Sequence, residues 1–348
     1  MSTVPALLPQ DVALLIDAPR RWRPLEGGHV LLTGGTGFVG RWLLSAFVHA
    51  EHAHGLNARI DVLTRDPRAF AAACPELAAS GAVTLVTGDV RTADLAATAY
   101  THVIHGATPS SAGVNGDRPR ETLDVIQTGT NHMLDLAARG GAARFLLLSS
   151  GAVYEPPAPA DGFDESSPLG APWPRERSAY HAGKRTAEDL AWNAAEDGLE
   201  VTVARLFAFV GPFLPLDRHF AIGNFIGDAL SGRTIRVKGD GSPVRSYLYA
   251  ADMAVWLWTM LLDPAAAGAA FNVGSERPVT IAETARLVAA ESETAVGVTI
   301  LNEGSPSGAG RRYLPSTARA RAKLGLEPTI DLSEAIRRTV AWHRGMAS

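Results

Sequence analysis

Apolar and polar positions are arranged along this chain in two distinct ways. Short, mostly apolar runs of four to six residues fall at 29–33, 59–64, 83–87, 102–105, 145–149 and 201–204, the pattern of strands buried on both faces of a parallel sheet. Between them, 40–50, 120–139 and 179–195 carry apolar residues at helical spacing; in the first, Trp42, Leu43, Ala46 and Phe47 share one face. Strands alternating with helices predict an α/β fold, a doubly wound parallel sheet with helices on both faces. From about 211 the pattern loosens into Gly/Pro-rich loops and shorter elements, up to a final helix over 332–344. This part is expected to form a smaller C-terminal, substrate-binding lobe over the carboxyl ends of the strands, where open α/β sheets bind ligands. The expected organisation is an N-terminal extension over 1–27, with one short helix over 11–16 packed on the outside. The sheet domain follows over 28–210 with later returning segments, and the lobe takes most of 211–348, interleaved with it.

Composition narrows the class. At 348 residues and 46% hydrophobic, the chain can bury a large core. Its formal charge is −4 with the two signs interspersed, which argues against nucleic acid or an anionic membrane as partner. The single cysteine, Cys74, rules out an internal disulfide framework and fits a reducing cytoplasm. No basic segment followed by an apolar core opens the chain, and no run approaches the length of a membrane span, so a cytoplasmic protein is expected. His49, His52 and His54 cluster without a cysteine or compact carboxylate set beside them, and no metal is expected.

The first chemical signal is Thr33-Gly34-Gly35-Thr36-Gly37-Phe38-Val39-Gly40, lying between the 29–33 run and the 40–50 helical pattern. On a strand-to-helix turn, missing side chains let the backbone approach a pyrophosphate, and the helix N-terminus aims free N–H groups at the anion. The spacing is Gly-x-x-Gly-x-x-Gly and not the Gly-x-Gly-x-x-Gly of the commoner dinucleotide fingerprint.

The second is Tyr180-His181-Ala182-Gly183-Lys184, thirty residues after Ser150. On a helix, residues four apart share a face, so the phenol and the ammonium project into the same space. A neighbouring Lys⁺ favours the phenolate and is expected to lower the tyrosine pKa from about 10, fitting it for proton exchange with a hydroxyl or carbonyl. His181 points to another helix face and is expected to pack.

Together these residues resemble the extended short-chain dehydrogenase/reductases, the nucleotide-sugar epimerase/dehydratase family with a Rossmann fold, over roughly 28–345. Gly34, Gly37 and Gly40 match that family's turn, with Phe38 and Val39 in its apolar slots. The resemblance implies an NAD(P) site that also includes Thr36, the Asp89-Val90 segment, whose acid contacts adenine, and Gly106-Ala107 after the fourth strand. Ser149-Ser150-Gly151-Ala152-Val153-Tyr154 resembles the block that carries the catalytic serine, here Ser150, which with Tyr180 and Lys184 would handle proton transfer; Lys184 would also hold the nicotinamide ribose. Gly239-Asp240-Gly241 through Arg245 and Asp252, Phe271-Asn272-Val273-Gly274 and Arg311-Arg312-Tyr313 also match. They imply that Arg245, with Arg311 or Arg312, clamps the diphosphate of a nucleotide sugar, a planar guanidinium binding two phosphate oxygens at once. Tyr154 and Trp173 would lie near the sugar, and a homodimer through the 120–138 and 179–195 helices is implied.

Departures from the family pattern sharpen the reading. Ala208 stands where an asparagine is usual, leaving Asn224 as a candidate diphosphate contact; Ile126 replaces another asparagine, and Ser316 an aspartate. The family's dehydratases carry an Asp-Glu pair directly after the catalytic residue, and here that pair is Gly151-Ala152. Dehydration of that type is therefore not expected. The expected activity is reduction of a 4-keto(-6-deoxy) nucleotide sugar, with a 4-epimerase holding NAD tightly as the alternative. A non-catalytic NAD(P)-sensing protein would tend to have lost the tyrosine or lysine. Strand 59–64 ends in Thr64, followed by Arg65 and not by an acid, which inclines the cofactor to NADP, although Asp66 keeps NAD open.

Overall fold

All six apolar runs form strands: β1 (His29–Thr33), β2 (Arg59–Thr64), β3 (Val83–Thr87), β4 (His102–His105), β5 (Arg144–Ser150) and β6 (Glu200–Leu206). The computed structural model describes residues 6–17, 19–95, 98–108, 118–170, 179–218, 220–292, 295–302 and 312–345. A seventh strand, Ala269–Val273, pairs with β6 and completes a sheet of order Ala269–Val273, β6, β5, β4, β1, β2, β3. Every pairing in it is parallel. β5 and β6 run beyond the predicted limits because Ser150 and Arg205, polar residues that blur the apolar pattern, are buried there.

Alternation along the strands separates two layers. Val30, Leu32, Ile60, Val62, Ile104 and Leu146 face helices α2 (Phe38–His54) and Ala250–Leu262. Leu31, Leu63, Val103, Phe145, Leu147 and Val203 face the helices Pro119–Arg139 and Ala179–Glu196. The winding direction reverses between β1 and β4, which lie side by side with Thr33 opposite His105. Such a switch point is where open α/β sheets bind ligands.

The N-terminal extension is more deeply embedded than a helix lying on the outside would be. Helix α1 (Pro9–Ile16) buries Leu15 and Asp11 completely. The Asp11 carboxylate accepts from the Tyr249 hydroxyl at 2.7 Å and from Arg338 Nη1 at 2.7 Å, tying together parts of the chain more than two hundred residues apart. Trp22 packs at a tilt against Trp258, with ring centroids 5.0 Å apart, and the Trp258 indole N–H donates to the Leu43 carbonyl of α2 at 3.1 Å. Among the described residues no helix is long and apolar enough to cross a membrane, and no group of three or more His, Cys, Asp or Glu could hold a metal ion. The His54 ring instead meets the Ile16 carbonyl at 3.0 Å.

A polar network lies between the sheet and the Ala179–Glu196 helix. Glu188 is fully buried and Arg205 is 3% exposed, and the guanidinium meets both carboxylate oxygens at 2.8–3.2 Å. Ser149 Oγ donates to Glu188 at 2.5 Å, and Arg205 Nη1 donates to the Tyr154 hydroxyl at 2.9 Å. That hydroxyl donates in turn to Asn272 Oδ1 at 2.7 Å, and the Asn272 amide donates to the carbonyls of Phe163 and Ser316. Replacing Arg205 with Met should strand a buried carboxylate and cost about 3–5 kcal/mol; urea unfolding of Arg205→Met against wild type measures it.

Candidate active site

The glycine turn closes against the segment after β4. Gly34 has φ of 76°, and a Cβ on it would lie 2.7 Å from the Gly106 carbonyl carbon and 2.9 Å from the Ala107 nitrogen. At Gly40 a Cβ would lie 2.3 Å from the Gly34 oxygen, so the first turn of α2 rests directly on the loop. Gly37 is different. A Cβ there would meet only the Gly34 oxygen, at an ordinary 3.5 Å, so the protein's own packing does not require glycine. Gly37 is also the N-cap of α2 and supplies no side-chain cap to the helix's first N–H groups. Open space above uncapped N–H groups fits a pyrophosphate. Phe38 and Val39 pack partly into the core, and the Thr36 carbonyl accepts from Arg41 Nε at 3.0 Å.

The floor of this turn is a neutral histidine. Thr33 Oγ1 accepts from the Gly106 and Ala107 N–H groups, each at 3.2 Å, so its own proton is free for His105 Nδ1 at 2.8 Å. His105 Nε2–H then donates to Thr130 Oγ1 at 3.1 Å. Burial lowers the His105 pKa to about 3, and the nearby Lys184 charge acts in the same direction. A neutral ring of one tautomer thus holds the Thr33 hydroxyl in place to accept from Gly106 and Ala107.

The last three residues of β5 meet three side chains of the Ala179–Glu196 helix. Tyr180, Lys184 and Glu188 stand four residues apart on one helix face. Lys184 Nζ donates to the Leu148 carbonyl at 2.7 Å, Glu188 accepts from Ser149, and the Tyr180 phenol hydrogen-bonds Ser150. The Lys184 ammonium lies 5.9 Å from the Tyr180 ring centroid. Burial lowers the Lys184 pKa to about 8, with Glu188 pulling the other way. The lowered tyrosine pKa is not what this arrangement produces. Burial pushes the Tyr180 phenol up, and the group opposing that rise is the Ser150 hydroxyl, not the lysine. His181 packs edge-on against Tyr180 at 6.2 Å.

The later part of the chain converges on the same place. Val244 bridges to Arg312, which sets Arg245 and Tyr313 side by side, with the Arg245 guanidinium 5.9 Å from the Tyr313 ring. The Tyr313 phenol hydrogen-bonds Ser150. Arg312 donates from Nη2 to the Ala160 carbonyl at 3.2 Å, while its Nε is buried without a partner among the described residues, a donor suited to an anion. Asn224, on the Ala221–Leu230 helix, is partly buried, and no hydrogen bond ties it to this cluster. Arg311 and Trp173 lie outside the described residues.

Residues 30–274 match the model of the NAD dependent epimerase/dehydratase family. The chain belongs to that family. It is 33% identical over 246 residues to UDP-glucuronic acid decarboxylase 1 of Arabidopsis thaliana, an alignment covering 69% of this chain and 54% of that protein. The chain thus spans about half the length of that curated relative. Among solved structures, the epimerase Mth375 from Methanothermobacter thermautotrophicus superposes with a TM-score of 0.80 at 24% identity, covering 95% of this chain and 96% of that one. UDP-glucose 4-epimerase from Thermotoga maritima, solved with UDP-glucose, gives 0.79 at 20% identity over 92% and 100%. At these identities the structural likeness establishes the fold.

Against the family pattern, several residues of this epimerase/dehydratase-family chain have other employment. Asp89 is taken up by Arg91, whose Nε and Nη2 reach its two oxygens at 2.8 and 2.9 Å and hold its pKa down to about 2. Its carboxylate faces a cation, while Val90 packs on Gly129. Asp66 caps the helix after β2, accepting the Ala69 N–H at 2.9 Å, and Arg65 is exposed nearby. Ile126, in the asparagine position, presses on Gly183, where a Cβ would come within 2.8 Å of it. Tyr154 belongs to the Arg205 network and is not free for a ligand. Sequence reasoning missed Glu188 and Tyr313 as parts of the site. Glu188 continues the four-residue register of Tyr180 and Lys184 and was detectable; Tyr313 is brought in by tertiary pairing alone.

Two alanine substitutions separate packing from binding. Gly37→Ala should leave stability within about 0.5 kcal/mol and weaken dinucleotide binding about tenfold or more. Gly34→Ala should lose about 2–4 kcal/mol of stability from its positive φ and the clash with Gly106. Thermal melts with calorimetric titration of the dinucleotide read both.

Proposed function

We propose that this protein is an NAD(P)-dependent oxidoreductase of nucleotide-diphosphate sugars, and that its net reaction is reduction of a 4-keto sugar, above all a 4-keto-6-deoxy sugar. The observation that carries the reading is the convergence of Ser150, Tyr180 and Lys184 at the end of β5, with Gly151 and Ala152 following where a dehydrating site needs an acid and a base. When bound, the nicotinamide supplies the hydride. Tyr180, kept protonated at neutral pH by its burial, donates its proton to the C4 oxygen as the carbonyl becomes an alcohol. Ser150 hydrogen-bonds the same oxygen and steadies the charge that builds on it. Lys184, cationic below about pH 8, holds the cofactor ribose and balances the phenolate that Tyr180 leaves behind. Arg245 and Arg312 take the diphosphate, with the buried Nε of Arg312 as one donor.

Two neighbouring reactions begin with the reverse step, oxidation at C4. An epimerase would oxidise C4 and return the hydride to its other face. The decarboxylase relatives favour a second reading, loss of carbon dioxide from a transient 4-keto uronate. That reaction leaves a carbanion at C5 that needs an acid, and Gly151 and Ala152 offer none. For the cofactor, the Asp66 carboxylate is engaged in capping and Arg65 is exposed. The tip of β2 therefore suits a 2′-phosphate better than a bare ribose, which supports NADP.

Incubating the purified protein with NADPH or NADH and UDP-glucose, UDP-glucuronate or dTDP-4-keto-6-deoxyglucose separates the reactions. Reduction consumes cofactor with the keto sugar, epimerisation isomerises UDP-glucose without net consumption, and decarboxylation releases carbon dioxide. Tyr180→Phe should lower the rate about 10²–10⁴-fold with cofactor affinity intact; an unimpaired variant refutes the mechanism. Arg65→Ala should weaken NADPH about tenfold and leave NADH unchanged; tighter binding of NADH by the wild type reverses the assignment.

A further inference from the structure

Between β6 and the Ala250–Leu262 helix the chain makes one long excursion, which carries Arg245, and its two ends lie side by side. Strand Phe209–Val210 on the way out pairs in parallel with strand Leu248–Tyr249 on the way back. The turn at the exit is strained. Phe213 has φ of 70°, in the left-handed region that a bulky side chain disfavours and that persists only where the surroundings impose it. Here Trp42 and Trp342 impose it. Their rings meet the Phe213 ring edge-on at 5.9 and 5.0 Å, and the Trp42 indole N–H donates to the Pro212 carbonyl at 2.8 Å. Beyond the turn the chain lies directly on the Ala221–Leu230 helix. A Cβ on Gly223 would come within 2.5 Å of the Pro215 oxygen, and one on Gly227 within 3.1 Å of the Leu216 oxygen. Residues 6–17, which precede the family match at 30–274, hold both ends of the excursion. The Ala6 carbonyl accepts the Trp342 indole N–H at 3.1 Å, and Ala6 and Leu7 line one crevice with Phe213. At the other end, Asp11 accepts from the Tyr249 hydroxyl at 2.7 Å.

We propose that residues 6–17 form a clasp that positions the sugar-nucleotide site, with Asp11 and Phe213 as its positioning residues. The inference rests on the reading that Arg245 takes the diphosphate. Arg245 stands four residues before Tyr249, and the Ala221–Leu230 helix follows the Phe213 turn. A small rotation at the root of the excursion therefore displaces both, and a guanidinium–phosphate pair tolerates little displacement. The clasp closes on one face of the Leu332–Gly345 helix, where Arg338 and Trp342 stand four residues apart. Arg338 takes the second oxygen of Asp11, and Trp342 takes the Ala6 carbonyl. The two carboxylate oxygens thus join the return of the excursion to the helix that braces its exit. The glycine turn is held separately, by its own contacts with Gly106 and Ala107. Loosening the clasp accordingly weakens the sugar nucleotide and spares the dinucleotide.

Two conservative changes in the full chain loosen the clasp. Asp11→Asn keeps an acceptor for Tyr249 and removes the charge that Arg338 meets; Trp342→Phe keeps a ring on Phe213 and loses the N–H to Ala6. Hydrogen–deuterium exchange on the unliganded protein is measured first. In the double variant, amides at 209–216 and 221–230 should exchange about tenfold or more faster than in wild type, with those at 29–33 unchanged. UDP-glucose, UDP-glucuronate and dTDP-4-keto-6-deoxyglucose are then titrated calorimetrically into the NADPH-loaded protein. Whichever sugar nucleotide wild type binds should weaken about five- to tenfold, while NADPH binds as before. Val201→Ala, a buried change on β6 that touches no part of the clasp, should lower the melting temperature and leave both affinities as in wild type. Exchange unchanged at 209–230 overturns the inference. So does a rise spread evenly over the sheet, an equal loss of both ligands, or the same loss of sugar nucleotide in Val201→Ala, since each marks a role in stability alone. A wild type that binds none of the three sugar nucleotides counts against the reading of the site, and the exchange rates then judge the clasp by themselves.

Discussion

A carboxylate and a guanidinium that water cannot reach, Glu188 and Arg205, hold the rest of this site in place. Taking either charge out of water alone costs several kcal/mol, so the two are tolerated only while paired and fully hydrogen-bonded. Here each further partner is a functional neighbour. Ser149 precedes Ser150 on β5, Glu188 follows Lys184 by one helical turn, and Tyr154 ends the segment that carries Gly151. Sliding the helix by one residue along β5 would leave a buried ion without its partner. The register of Tyr180 and Lys184 against Ser150 is thereby set by a buried charge pair.

The same burial tunes the acid and the cation. Desolvation disfavours whichever form is charged, so it raises the Tyr180 phenol and lowers the Lys184 ammonium together. A phenol kept neutral is a proton donor, which suits reduction of a ketone. The ammonium remains charged at neutral pH because Glu188 opposes the desolvation. Loss of water around the phenol, and not electrostatic help from the lysine four residues on, sets the direction of the tyrosine's shift.

How much of this was legible follows from how local each signal is. Six strands and three long helices were readable because their apolar periodicity is a property of neighbouring residues. The glycine turn was readable because positive φ and close approach restrict the residue type, and Gly34 and Gly40 show those constraints. The seventh strand, Ala269–Val273, is only five residues long and carries the polar Asn272, so it merged with the loop-rich region. Asn272 is polar there because it closes the Arg205 network, a role invisible without the fold. Helix α1 looked peripheral because its anchor, Asp11, is a charge, and only Tyr249 and Arg338 explain its burial.

By itself the sequence determined the fold class, the glycine-rich strand-to-helix turn and the grouping of Ser150, Tyr180 and Lys184 as candidates for proton exchange, since each depends on residue types at short fixed spacings. The tertiary structure decided which partners the remaining polar residues take. It pairs Asp66 with the first turn of a helix and Asp89 with Arg91. Through the Val244–Arg312 bridge it brought Tyr313 against Ser150 from more than one hundred and sixty residues away. Contacts of that length are made by strand pairing and burial, and no local pattern of residues encodes them.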